Sequence, residues 1–175
     1  MMMQNYKSKI VDVVGRRIFN GTVSVDKGKI VHIEEEDYCD YDNYIIPGFI
    51  DAHVHIESSM LLPSAFAKLA VKSGTVAVLH DPHEIANVLG RAGVDFMIRE
   101  GRQVPFKFYS SVPSCVPATS FETSGATIDS KLVGEMINRS DTYFLGEMMN
   151  YPGVIWNDEE VMKKIESAKK YNKPV

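Results

Sequence analysis

The sequence predicts an α/β chain built on a parallel sheet with helices outside it. Strand-like and helix-like segments alternate four times from Tyr44 onward, and such a repeat is the signature of parallel strands whose faces need helical cover. The strand segments are short and rich in branched apolar residues, while the segments between them carry helical spacing. A third observation is local. In residues 50–57, Ile50, Ala52, Val54 and Ile56 fall on one face of an extended strand, and Asp51, His53, His55 and Glu57 fall on the other.

Residues 1–43 read as a small β meander. "KIVDVVGRRIFNGTVSVDKGKIVHIEEE" carries valine and isoleucine in near alternation, with turns expected at Asn20-Gly21 and at Asp26 to Gly28. His32, in the third strand, reads as a surface or packing residue, and "EEEDYCDYDN" as a solvated acidic loop.

From Tyr44 the period changes. "YIIPGFIDAHVHI" reads as one strand, and "PSAFAKLAVKSG" as a helix opened by Pro63 and closed by Gly74, with Phe66, Leu69 and Ala70 on one face. "TVAVLHD" is the second strand. "PHEIANVLGRAGVDFMIREGRQ" is helical, with Ile85, Val88, Leu89 and Ala92 spaced for burial and interruptions at Gly90 and Gly93. "PFKFYSSVP" and, after a long loop, "DSKLVGEMINRS" with Leu132, Val133, Met136 and Ile137 form the third unit. "TYFLGEMMN" and "NDEEVMKKIESAKKYN" form the fourth, whose acidic first turn and lysine-rich last turn suit the helix dipole.

In a (β/α) barrel the outward strand face packs on helices, and reactive groups gather at the C-terminal strand ends. Ile50, Ala52, Val54 and Ile56 then face outward, and His53 and His55 sit at the mouth. An antiparallel strand with one wet side would show the same alternation, but it does not explain the units that follow.

Composition narrows the function. Nineteen Lys and Arg against 23 Asp and Glu give a net charge of −4, with the signs interspersed, which argues against a nucleic-acid or anionic membrane partner. No apolar run approaches a membrane span and no signal-peptide core opens the chain, so a cytoplasmic protein is expected. Cys39 and Cys115 have no paired spacing and read as free thiols.

Polar residues recur at the later strand ends: His80, Asp81, His83 and Glu84 after the second strand, Glu147 after the fourth. Singly, each has a plain reading; Glu84 could cap the next helix, and His80 could be a hydrogen-bonded core histidine. Together, two histidines at i and i+2 with a carboxylate from another strand match the donors that zinc, manganese or iron accept, with positions left for water. Such a metal makes a water nucleophile at neutral pH.

"PGFIDAHVH" resembles the first-strand signature of the amidohydrolase superfamily. With it, "HIESSMLLPSAFA", "DPHEIANVLG", "VPATSFETSGA" and "LGEMMNYPGVI" resemble the adenine deaminase family, over nearly the whole chain from Tyr44 onward. The resemblance implies hydrolysis of adenine to hypoxanthine and ammonia in purine salvage, by the N-terminal part of a metal-dependent (β/α)8 TIM-like barrel. Residues 1–43 would be strands of a flanking β-sandwich, and residues 44–175 the first half of the catalytic barrel. It also implies a binuclear site with manganese or iron, zinc being possible, in which His53 and His55 ligate one metal and Glu147 bridges two. Asp81, His83 and Glu84 become catalytic candidates, and Glu57 and Ser58 substrate or outer-shell candidates. Ser120 and residues 122–124 lie in a long loop that either covers the pocket or is plain surface.

A full barrel of this type needs ~250 residues, and about 130 follow the flanking strands here. The family's later ligands, two histidines and an aspartate, are expected beyond Val175, so the isolated chain is expected to be inactive and the complete form a homo-oligomer. Another amidohydrolase, such as a dihydroorotase or cytosine deaminase relative, or a non-catalytic assembly subunit, are the alternative readings.

Overall fold

The computed structural model describes residues 3–38, 40–119 and 121–175. The expectations for Cys39 and Ser120 therefore fall outside the described residues. The chain divides into two compact units, Met1–Gly48 and Phe49–Val175.

In the first unit, β1 (Gln4–Asp12), β2 (Arg17–Asp26) and β3 (Lys29–Glu35) form an antiparallel meander, and β4 (Tyr44–Ile45) adds in parallel beside β1. The hairpin at Lys27 and Gly28 has positive φ at both residues, the geometry that matches strand twist in a two-residue loop. The turn expected at Asn20-Gly21 is not there. Gly21 lies inside β2, where a Cβ would come 2.4 Å from the Glu34 carbonyl oxygen; this glycine serves close backbone approach rather than chain reversal. The β1–β2 reversal is made instead by residues 13–16, where the Asp12 carboxylate accepts from the Val14 and Gly15 amides at 3.1 and 2.8 Å. Tyr44 and Ile45 belong to this unit's sheet, so "YIIPGFIDAHVHI" is two strands in two sheets, divided around Pro47 and Gly48.

The second unit follows the alternation read from the sequence. Strands β5 (Phe49–Val54), β6 (Thr75–His80), β7 (Lys107–Val112) and β8 (Phe144–Leu145) pair in parallel in sequential order, the arrangement of a half-barrel sheet. Between and after them come α1 (Pro63–Ala70), α2 (His83–Leu89), α3 (Arg91–Gly101), α4 (Ser130–Ile137), α5 (Tyr151–Ile155) and α6 (Glu159–Lys170). Two buried clusters hold helices to strands. Ile56, Ala67, Val78, Met97 and Phe106 form one. Ala86, Val94, Val112, Val133, Met136, Ile137, Leu145 and Ala168 form most of the other.

Several local readings need correction. Leu69, Val88 and Leu89 are exposed, whereas Ala67 and Ala86 are buried. The helix over residues 83–101 is two helices that meet at Gly90, so Ala92, exposed on the second, does not continue a face begun at Ile85 on the first. Ile50 and Ala52 are exposed on β5, and only Val54 and Ile56 of that set pack against the helices. The short helix α5 was not foreseen. Finally, β8 is only two residues long and "GEMMN" leaves the sheet, for a reason that lies in the site.

Candidate functional site

His53 is the penultimate residue of β5, and His55 follows the strand in extended conformation (φ −107°, ψ 97°) before a 3-10 turn at Ile56–Ser59. Their Nε2 atoms lie 3.0 Å apart. The Glu147 carboxylate, just past β8, comes within 3.5 Å of His53 Nε2 through Oε2 and 3.4 Å of His55 Nε2 through Oε1. His55 Nδ1 is 2.8 Å from the Asp81 carbonyl oxygen. A carbonyl only accepts, so Nδ1 carries the proton and Nε2 presents its lone pair to Glu147.

Two nitrogen lone pairs and a carboxylate that converge in this way repel one another unless a cation or proton lies among them. The outer hydrogen bond that orients His55 is the arrangement metal-ligating histidines use. One ligand atom from each of His53, His55 and Glu147 falls within a 4.8 Å group, as does one from each of Asp81, His83 and Glu147. The donor chemistry therefore fits a divalent ion, with Glu147 common to both sets.

Asp81 organises the second set. It is 3% exposed, its Oδ1 accepts from Ser111 Oγ at 2.7 Å, and its Oδ2 accepts from the Glu147 amide at 3.0 Å. Burial pushes its pKa up, but the neighbouring His83 ring and the hydrogen bonds from Ser111 and the Glu147 amide outweigh this and hold the carboxyl below its usual range. His83 Nδ1 stands 3.5 Å from Asp81 Oδ2 and 3.7 Å from Glu147 Oε1. The Asp81 carboxylate raises its pKa against the effect of burial.

The end of β8 now has its cause. The Glu147 amide is taken by Asp81 and its carbonyl by Ser114 Oγ at 2.5 Å, so neither group is left to extend the ladder. Gly146 is required by the same contact, because a Cβ there would lie 2.4 Å from Asp81 Oδ2.

Glu57 does not share the histidine face, since it falls in the 3-10 turn. Its Oε1 accepts from the Ile85 amide at 3.3 Å, and burial raises its pKa. Ser58 Oγ donates to Glu84 Oε1 at 2.5 Å. These residues form a second polar group at the start of α2. Asp51 stays apart from both groups, with Oδ1 accepting from the His53 amide. His80 is a core histidine, fully buried, but neither ring nitrogen has a hydrogen-bond partner among the described residues, and burial lowers its pKa to about 4.

His53, Asp81 and Glu147 line a cavity of about 500 Å³ with Ala52, Leu79, Phe144 and Met148 on its walls. None of the described residues of the 113–129 loop lines it. That loop meets the site at its start, through Ser114 Oγ on the Glu147 carbonyl, and further on is tied by the Gly125 amide to the Asn87 carbonyl at 2.7 Å and by a bridge between Val116 and Ile128. Cys115 is a buried free thiol. Among the described residues no helix is long and apolar enough to cross a membrane.

Sequence reasoning missed Ser111, Gly146, Ser114 and Lys164. Only Lys164 left a signal, as a lysine on the i, i+3, i+7 stripe of Val161 and Ala168, which α6 buries.

Residues 44–175 match the model of the amidohydrolase family. An adenine deaminase of Methanosarcina barkeri is 53% identical over 173 residues, covering 99% of this chain and 31% of that protein. Adenine deaminases of Parabacteroides distasonis and Borreliella afzelii are 48% and 47% identical over 97% and 100% of the chain. The chain spans about a third of the length of these curated relatives, 31% and 32% for the latter two.

Proposed function

The chain belongs to the amidohydrolase family, and on that premise we propose that it supplies part of the active site of an adenine deaminase, which hydrolyses adenine to hypoxanthine and ammonia. The observation that carries this reading is the convergence of His53, His55 and Glu147 beside an apolar-walled cavity, in a chain about half identical to proteins of that name.

His53, His55 and Glu147 would hold one divalent ion, and Asp81, His83 and Glu147 a second. Bound there, an ion would supply a water nucleophile near neutral pH and offset developing negative charge. Nitrogen and carboxylate donors suit manganese, iron or zinc, and we favour manganese or iron.

The chain's own residues divide the remaining work. Leu79, Phe144 and Met148 offer apolar contacts to a planar heterocycle and exclude water from its faces. His83, whose Nδ1 faces Asp81 and Glu147, would serve as a ligand of the second ion rather than as a proton donor. Glu84, oriented by Ser58, is suited to move a proton at the purine ring nitrogen, and Glu57 fixes the start of the helix that carries both. Proton transfers of this kind contribute ~10²–10⁴-fold each. The reading extends to a cytoplasmic, homo-oligomeric enzyme of purine salvage, with residues 1–43 as strands of a flanking β domain.

The test joins this chain to the remaining residues of the Methanosarcina barkeri relative and offers the product adenine, cytosine and dihydroorotate. Hypoxanthine and ammonia from adenine alone is the expected result. Turnover of either other substrate in preference to adenine overturns the assignment.

A further inference from the structure

Glu147 follows a two-residue strand, so side chains rather than a ladder fix its backbone. Asp81 holds its amide, and its carbonyl accepts from Ser114 Oγ at 2.5 Å and from the Met149 amide at 3.1 Å. Ser114 is 1% exposed. Its own carbonyl accepts from Lys164 Nζ at 2.9 Å, 50 residues further along the chain on α6.

Lys164 is 9% exposed and shares the buried face of α6 with Val161 and Ala168. Removing an ammonium from water costs several kcal/mol unless partners are waiting, and an apolar side chain would fill the same position without that cost. Its bond goes to a main-chain carbonyl rather than to a carboxylate. Asp129, Asp158 and Glu160 line the same cavity of about 370 Å³ and make the surroundings negative, but each is engaged elsewhere. Asp129 accepts from the Leu132 amide, Asp158 from the Val161 amide and Glu160 from Ser130 Oγ.

We infer that Lys164 is a positioning residue for the candidate metal centre: by fixing Ser114 it fixes the carbonyl of Glu147, and with it the carboxylate that faces His53 and His55. The inference rests on the metal-centre part of the proposed function and not on the identity of the substrate. A ligand held by its backbone at both ends keeps its geometry, and a displacement of ~0.5 Å is enough to matter at such a site.

The test measures Mn²⁺ affinity of the full 175-residue chain by competition with a chromophoric chelator, beside urea unfolding of the metal-free protein. Lys164→Met keeps the apolar stem and removes the ammonium, and Ser114→Ala removes one hydroxyl. Each is expected to weaken Mn²⁺ binding roughly tenfold, the usual effect of losing a group that orients a ligand. The double variant should lose little more than either single one, because both act through one relay, and Lys164→Arg should recover most of the loss. Lys163→Met, on the exposed face of the same helix where Lys163 pairs with Glu159, should change nothing. If Lys164→Met fails to fold, Ser114→Ala and Lys164→Arg carry the comparison. Variants that unfold more easily yet bind Mn²⁺ like the parent would show that Lys164 only ties α6 to the sheet, and additive losses would break the relay. No measurable binding by the parent chain would remove the centre and this role together; adenine is not in the assay, so a failed deaminase assignment leaves the result standing.

Discussion

The Glu147 amide donates to Asp81 Oδ2 across 3.0 Å, joining the ends of β6 and β8 over 66 residues of sequence. The same Asp81 offers its carbonyl to His55 and its other carboxylate oxygen to Ser111. One buried aspartate thus orients a histidine from one strand end and a glutamate from another.

Asp81→Ala leaves the Glu147 amide and the Ser111 hydroxyl without their acceptor, which should cost about 3 kcal/mol in urea unfolding of the metal-free chain. The pKa of Asp81 is lower in the folded state than the usual ~3.9, so its contribution is present above about pH 4 and lost as pH falls through the folded value. The variant should lose that acid limb. A cost below ~0.5 kcal/mol would show that other groups organise the site.

Gly146→Ala places a methyl group against the Asp81 carboxylate. Either Asp81 or the Glu147 peptide must move, and Mn²⁺ affinity should fall at least tenfold while helix content by circular dichroism is kept. Unchanged affinity would mean that this contact is not needed to place Glu147.

His80 is buried and neutral, with its pKa lowered from 6.5 to about 4. The unfolded chain binds its proton first, so stability should be complete above about pH 6.5 and fall by roughly 3 kcal/mol as pH drops toward 4. His80→Phe should flatten that part of the profile, read from urea midpoints across the range. An unchanged slope would assign the acid sensitivity to other groups.

The repeating units were legible because parallel strands and their covering helices impose two clear periods, and the four strand–helix pairs stand in the expected order. The convergence of the histidine pair and Glu147 was legible because chelating side chains recur at the C-terminal ends of successive parallel strands, which one sheet brings together. The rest was hidden for physical reasons. Gly21 reads like a turn residue, but it marks close backbone approach. Glu57 continues the alternation in sequence, yet the chain turns into a 3-10 segment one residue earlier. Ser111 and Ser114 matter only through hydrogen bonds to residues 30 and 33 positions away, which no local pattern records.

His53→Ala/His55→Ala removes both nitrogen donors of the first set. The parent chain, with three donors in its first set, should bind Mn²⁺ weakly but measurably, and the double variant should bind at least a hundredfold more weakly by the same chelator competition. Stoichiometric metal that survives both dialysis and the double substitution would place the ion on other ligands.

The most direct measurement is the rate of hypoxanthine formation, with manganese added, by this chain joined to the remaining residues of the Methanosarcina barkeri relative, beside the same protein carrying Glu147→Gln and the 175-residue chain alone. The four described parallel strands leave β5 and β8 as sheet edges, so the chain alone should show no turnover, while the joined protein should deaminate adenine. Glu147→Gln keeps the shape but removes the charge shared by both donor sets, and should lower the rate at least a thousandfold, about 4 kcal/mol of transition-state stabilisation. Full activity with Glu147→Gln would contradict the account.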